Sequence, residues 1–201
     1  MIKTLFFDLG NVLIDFDHKL MWKQMAKACD APIDHLKDVI IGSHLWKRYE
    51  VGALTKEDFL EELDSLLEKP LNKEKFLLAA SDIFFENKQM IELLKRLHKM
   101  PFEIFLISNT CDIHFEHIKK KFPIFDMFNG LILSFEVSMR KPSIDIFSYA
   151  LAKTSSKPAE CLFIDDLIEH IDAASSLGIK THHFRNIENL EDDMKKMGIV
   201  L

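Results

Sequence analysis

Apolar positions along this chain follow two rhythms. Five short runs predict buried strands, at Thr4–Phe7, Ile104–Ile107, Gly130–Leu133, Cys161–Ile164 and Lys180–Phe184, the first four rich in Ile, Leu and Phe. Helical spacing separates the last four. Asn87 stands ready to cap a helix bearing Met90, Ile91, Leu94 and Leu97 on one face. A helix after Ile107 carries Phe115 and Ile118. Ser143 precedes Phe147, Ala150 and Leu151. A last stripe of Ile168, Ile171, Ala174 and Leu177 stops at Gly178, a good residue for leaving a helix. Strands alternating with helices imply right-handed crossovers and a parallel sheet covered on both faces.

One stretch breaks the alternation. Between Phe16 and about Phe85 no convincing strand pattern exists, and several helical ones do. Thr55-Lys56-Glu57-Asp58 reads as a capping box opening a helix with Phe59, Leu60, Leu63 and Leu67 on one side. Asp17 and Asp34 are candidate caps for two earlier helices. About 70 residues of this kind are too many for a loop in a compact domain. The fold expected is therefore α/β: a Rossmann-like parallel sheet from residues 1–15 and 86–201, with a helical cap, residues 16–85, inserted after strand 1.

Composition narrows the function. The chain has 201 residues and a net charge of -6, which argues against a nucleic-acid binder. The basic cluster Lys119-Lys120-Lys121 reads as a solvated helix end. Cys29, Cys111 and Cys161 form no CxxC pair, so neither a disulfide framework nor a zinc site is expected, and reduced thiols fit a cytoplasmic protein. No leader pattern precedes the first strand, and no apolar stretch of ~18 residues would span a membrane. Nothing in the sequence reads out an oligomeric state.

Chemistry gathers where the strands end. Asp8 and Gly10 follow the first strand; Ser108, Asn109 and Thr110 the second. Arg140, Lys141 and Pro142 lie shortly after the third, and Asp165 and Asp166 follow the fourth. All fall at the carboxyl edge of one sheet, where open α/β sheets bind ligands. A nucleophilic carboxylate, a hydroxyl, an ammonium group and further carboxylates are the set that phosphoryl transfer needs. A carboxylate approaching a phosphate dianion meets strong repulsion, which Mg²⁺ would remove. Asp8, the Gly10 carbonyl and Asp166 would offer it three oxygens. Ser108 and the amides after it, with Asn109, would hold the phosphoryl oxygens, and Lys141 would balance their charge and keep Asp8 ionised. Asp8 would then attack phosphorus, and water would hydrolyse the aspartyl-phosphate.

FFDLGNVL, LISNT, RKP and LFIDD resemble, in order and on the right elements, the four motifs of the haloacid dehalogenase superfamily. The helical insert is similar to that superfamily's cap of the first type. DLGNV, and Tyr49-Glu50-Val51-Gly52 ahead of Thr55, look most like the branch holding glucose-1-phosphatase and the phosphatase domain of soluble epoxide hydrolase. The resemblance implies a Mg²⁺-dependent phosphatase acting on a small phosphorylated metabolite of sugar-phosphate type. It ranks Asp166 ahead of Asp165 as the metal ligand.

Two positions depart from the superfamily pattern. The aspartate that protonates the leaving oxygen is replaced by Gly10, which has no side chain to move a proton. Two expectations follow: a substrate with an unusually acidic leaving group, such as an anomeric hydroxyl, or a proton donor borrowed from the substrate or the cap. The last residue of the DDxxEN-like run is His170, which can support the metal site through a hydrogen bond but would repel the cation once protonated. These departures keep a second reading open, a pseudo-phosphatase that binds a phosphorylated ligand or a protein partner without turnover. Carbon–halogen hydrolysis is a third, though it leaves Asp166 without purpose. His114, His117, His182 and His183 lack partners at zinc-ligand spacing and read as surface or satisfied core residues. Trp22, Trp46 and Tyr49 either pack the cap helices together or line a substrate pocket.

Overall fold

The computed structural model describes residues 1–200. In chain order its elements are β1 (Thr4–Phe7), β2 (Ile14–Phe16), α1 (His18–Cys29), α2 (Ile33–Gly42), α3 (Leu45–Glu50), α4 (Lys56–Leu66), α5 (Lys73–Ser81) and β3 (Phe84–Glu86). There follow α6 (Lys88–His98), β4 (Glu103–Ser108), α7 (Asp112–Lys121), β5 (Gly130–Leu133), α8 (Ser134–Val137) and α9 (Ile144–Leu151). The chain closes with β6 (Cys161–Asp165), α10 (Ile168–Ser176), β7 (Lys180–His183) and α11 (Ile187–Lys196).

Five strands form one parallel sheet in the order β5-β4-β1-β6-β7. β4 and β5 extend from one side of β1, β6 and β7 from the other. The sheet therefore changes direction at β1, the kind of switch point whose carboxyl edge opens a crevice. Register sets what meets there. Phe7 pairs with Leu106 on one side and Ile164 on the other, so Asp8 and Asp165 both stand one residue beyond these rows, Asp165 still pairing with His183 on its far side.

Alternate residues feed two cores. Phe6 faces Phe105, Phe147 and Phe163, under α9 and α10. Leu5 and Phe7 face the opposite way with Leu106 and Ile164, under α6. This second cluster continues without a break into α1–α5 through Met25, Leu36, Phe59 and Phe76.

The helices start where the sequence places their caps. Asp17 accepts from the Leu20 amide, Asn87 from Met90 and Ser143 from Asp145. The Thr55 and Asp58 side chains cap each other's amides reciprocally. Asp34 is the exception. Helix α2 begins at Ile33, after Pro32, and Asp34 lies inside its first turn. Proline fixes the turn into the helix, and the carboxylate there favours the dipole without capping.

The second correction concerns the stem of the insert. β2 and β3, three residues each, pair antiparallel with Phe16 opposite Phe84, where no strand was expected. Each is only three residues long and carries a carboxylate, Asp15 or Glu86, so neither reads as a buried strand. The far end of the insert docks on the sheet domain. The Ser134 Oγ lies 2.6 Å from the Glu50 carbonyl and accepts from the Thr110 amide at 2.9 Å. Gly52, at φ +68°, lies so close to α8 that a Cβ would sit 2.1 Å from the Phe135 carbonyl oxygen. Among the described residues no helix is long and apolar enough to cross a membrane.

Candidate active site

Three aspartates meet at the edge of β1 and β6. One oxygen from each of Asp8, Asp165 and Asp166 lies within 4.8 Å of the others. Buried between Asp8 and Asp165 is Lys141, its Nζ 2.7 Å from Asp8 Oδ1 and 2.6 Å from Asp165 Oδ2. One ammonium group against three carboxylates leaves an excess of negative charge in a partly desolvated space. That donor set fits a hard divalent cation.

The two buried aspartates differ. Asp165 accepts from Lys141, from the Leu167 amide at 2.8 Å and from His170 Nδ1 at 2.9 Å. Burial would raise its pKa, but Lys141 and the hydrogen bond from His170 outweigh burial and hold it below the usual carboxylate range. Asp8 has fewer partners. Burial pushes it up to about 6, against the opposing pull of Lys141 and with the added push of Asp165. Lys141 thus offsets only part of the burial penalty, and Asp8 remains mostly ionised at pH 7. Both carboxylates in turn hold Lys141 above its ordinary pKa, although burial opposes them.

His170 points inward, as its place in the DDxxEN-like run implies, but onto Asp165. Asp166 is held from elsewhere. Asn11 Nδ2 donates to its Oδ2 at 3.0 Å, and His183 Nε2 lies 2.9 Å from its backbone oxygen. Asn11 sits at φ +54°, a conformation asparagine tolerates better than most residues.

Ser108 ends β4 and is buried beside the cluster. Asn109, expected among the phosphate ligands, has its side chain engaged at both ends. Its Nδ2 donates to the Lys141 carbonyl at 2.9 Å, and its Oδ1 accepts from the Lys141 amide at 2.8 Å. It therefore aims Lys141 at the aspartates. The neighbouring Arg140 turns away to Glu50, at 3.3 Å.

Gly10 opens on the same cavity, of about 590 Å³. The space beside it is taken: a Cβ built there would lie 2.7 Å from the Phe16 ring. A proton-donating side chain is absent from this position, and an aromatic one from β2 fills its room. Phe16, His18, Glu50, Ile83, Phe84 and His114 also border the cavity, with Trp46. Tyr49 is buried within the insert instead, and Trp22 packs against the core. Sequence motifs carry no signal for Phe16, His18 or His114, and they assign no role to Asn11 in DLGNV or to Glu50 in Tyr49-Glu50-Val51-Gly52.

A profile of haloacid dehalogenase-like hydrolases matches residues 2–178. The chain belongs to this hydrolase family. It is 27% identical over 195 residues to a D-ribitol-5-phosphate phosphatase of Bacteroides thetaiotaomicron, covering 92% of this chain and 93% of that protein. It is 26% identical over 188 residues to a sesquiterpene phosphatase of Aspergillus oryzae, covering 90% and 89%. Among solved structures, a haloacid dehalogenase family enzyme from Bacteroides thetaiotaomicron, in complex with magnesium and inorganic phosphate, superposes with a TM-score of 0.82 at 26% identity. The match covers 92% of this chain and 95% of that one.

Proposed function

We propose that this family member is a Mg²⁺-dependent phosphatase that hydrolyses a small phosphomonoester through an aspartyl-phosphate on Asp8. The observation that supports it most is the meeting of Asp8, Asp165, Asp166 and Lys141 at one edge of the sheet. The names of the two relatives and the magnesium and phosphate held by the structural neighbour point the same way.

Each residue takes a role from its surroundings. Asp8 and Asp166, with the Gly10 carbonyl, would hold Mg²⁺; Asp165, saturated by Lys141, Leu167 and His170, would orient the others. The cation supplies charge compensation between carboxylate and phosphate. Ser108 and the backbone amides after it would bind the phosphoryl oxygens. Lys141, held in place by Asn109, would add a positive charge beside them. An Asp8 oxygen forms the new bond to phosphorus as the bond to the leaving oxygen breaks. Water then attacks phosphorus and frees Asp8, releasing phosphate.

We further propose that residues 16–85 act as the cap and residues 1–15 with 86–201 as the core, with the β2–β3 ribbon as the stem between them. In the DLGNV motif the chain still resembles the glucose-1-phosphatase branch. The sugar-phosphate substrate expected from that branch rests on the resemblance alone.

Phosphate release from a panel of phosphomonoesters, with Mg²⁺ and with a chelator, tests the reading. Turnover that stops on chelation and in Asp8→Asn is the expected result. Phosphate release that continues in Asp8→Asn contradicts it. The ring filling the acid's place beside Gly10 favours one other reading, a phospholigand-binding protein. Ligand-dependent stabilisation of the parent protein without any release would point there.

A further inference from the structure

The cavity has two dissimilar ends. Its floor holds the carboxylates and Lys141. Its wall is a row of rings in successive contact: His18 to Phe16 with centroids 4.6 Å apart, Phe16 to Phe84 at 6.4 Å, Phe84 to His114 at 5.1 Å and His114 to Trp46 at 5.2 Å. All five border the cavity, and Met21, Ile83 and Ile118 fill in between.

Several polar side chains near this wall are engaged by the protein, although Arg140 Nε is buried without a hydrogen-bond partner and His18, itself part of the wall, is exposed. His114 Nε2 donates to the Ala80 carbonyl at 3.0 Å. Arg140 is paired with Glu50. Asn109 is tied to Lys141, and Asn11 to Asp166. A polyol or sugar would lose water from several hydroxyls against this wall and recover few hydrogen bonds. A second anionic group would find its nearest cation, Arg140, already neutralised. Flat apolar groups stack well on such rings.

Gly10 and Phe16 point to the same class by a different route. No side chain at position 10 can protonate the departing oxygen, and the Phe16 ring occupies the space where one would reach. When the bond between phosphorus and that oxygen breaks, the electron pair stays on the oxygen. A phenolic oxygen carries that charge well enough to leave as the anion and take its proton from water afterwards. An ordinary alkoxide does not.

We propose that the substrate is the phosphomonoester of a flat, uncharged phenol. The proposal rests on the phosphatase reading and gives its substrate class. The test compares kcat/KM of the parent protein with Mg²⁺ for four esters. 1-Naphthyl phosphate is acidic and aromatic, glucose 1-phosphate acidic and polar, octyl phosphate apolar but not acidic, and glycerol 3-phosphate neither. The expected result is a kcat/KM for 1-naphthyl phosphate at least about tenfold above each of the others, since wall contacts and leaving-group acidity both act in the transition state. Calorimetry on the Asp8→Asn protein gives a second readout. Phe84→Ala and Trp46→Ala in that background should weaken 1-naphthyl phosphate binding about tenfold and leave inorganic phosphate binding unchanged. A preference for glucose 1-phosphate or octyl phosphate overturns the aromatic class while the phosphatase reading stands. Equal loss of naphthyl phosphate and inorganic phosphate binding also overturns it. No release from any of the four esters overturns the phosphatase reading itself.

Discussion

Gly10 is the residue where the sequence motif and the three-dimensional packing have to be read together. From the motif alone, a missing aspartate is a missing proton donor, and restoring it should help substrates with poor leaving groups most. The Phe16 ring 2.7 Å from the built Cβ changes that expectation, because an aspartate cannot enter until the ring moves. Gly10→Asp alone should therefore give little gain. Combined with Phe16→Ala it should raise kcat for an alkyl phosphate roughly 100-fold, within the span of general acid catalysis, and that for p-nitrophenyl phosphate much less. Equal gains on both esters, measured as steady-state kcat, would contradict the role assigned to this position. His114 gives a second prediction at this scale. Burial, aided by His18 and His117, holds its imidazolium down to about 4. The unfolded chain binds that proton near pH 6.5, so the folded state loses stability as pH falls from 6.5 toward 4. The loss from this residue is up to about 3 kcal/mol. Urea unfolding at pH 7.5 and 4.5 should show a smaller acid loss in His114→Gln than in the parent; equal losses would rule it out.

Elements were legible in proportion to how completely they are buried. The inner strands of the sheet are apolar on both faces, so their runs stand out within a residue or so at each end, whereas the edge strand β7, Lys180–His183, is largely polar. The caps Asp17, Thr55, Asn87 and Ser143 act locally, and local chemistry is readable from sequence. β2 and β3 were not readable because each pairs only with the other and carries charged or exposed residues. What they do is tertiary: β2 delivers Phe16 to Gly10, and no periodicity encodes that. Likewise the RKP run left Arg140 and Lys141 in competition, and only packing shows that Glu50 takes one and the aspartates the other. Gly52 is the element-scale test. Its φ of +68° and its contact with the Phe135 carbonyl leave no space for a side chain. Gly52→Ala should cost at least about 2 kcal/mol from the left-handed conformation and the clash together. Hydrogen exchange should rise in α3, which docks on α8, and in α4, which packs on α3, while the strands of the sheet stay protected. Unchanged exchange in α3 and α4 would show that this contact does not fasten the insert.

At the scale of the whole molecule, the proposed function has the sheet supply the chemistry and the insert the selectivity. Asp8, Ser108 and Asp165 come from strand ends, so parallel register brings them together, while Lys141, after α8, is placed among them by Asn109. The rings come from both sides of the insert boundary: Trp46 from α3, Phe16 and Phe84 from its stem, and His114 from α7. A hydrophobic cluster continuous from the sheet into α1–α5 couples the two. The account depends on covalent chemistry at Asp8. Borohydride reduction during turnover tests it most directly, because it converts an aspartyl-phosphate, but not a free carboxylate, to homoserine. With Mg²⁺ and a hydrolysed ester present, peptide mass spectrometry should find homoserine at position 8 and nowhere else, and none without substrate. Sustained phosphate release with residue 8 still aspartate, or homoserine formed at Asp165 or Asp166 instead, would contradict the account.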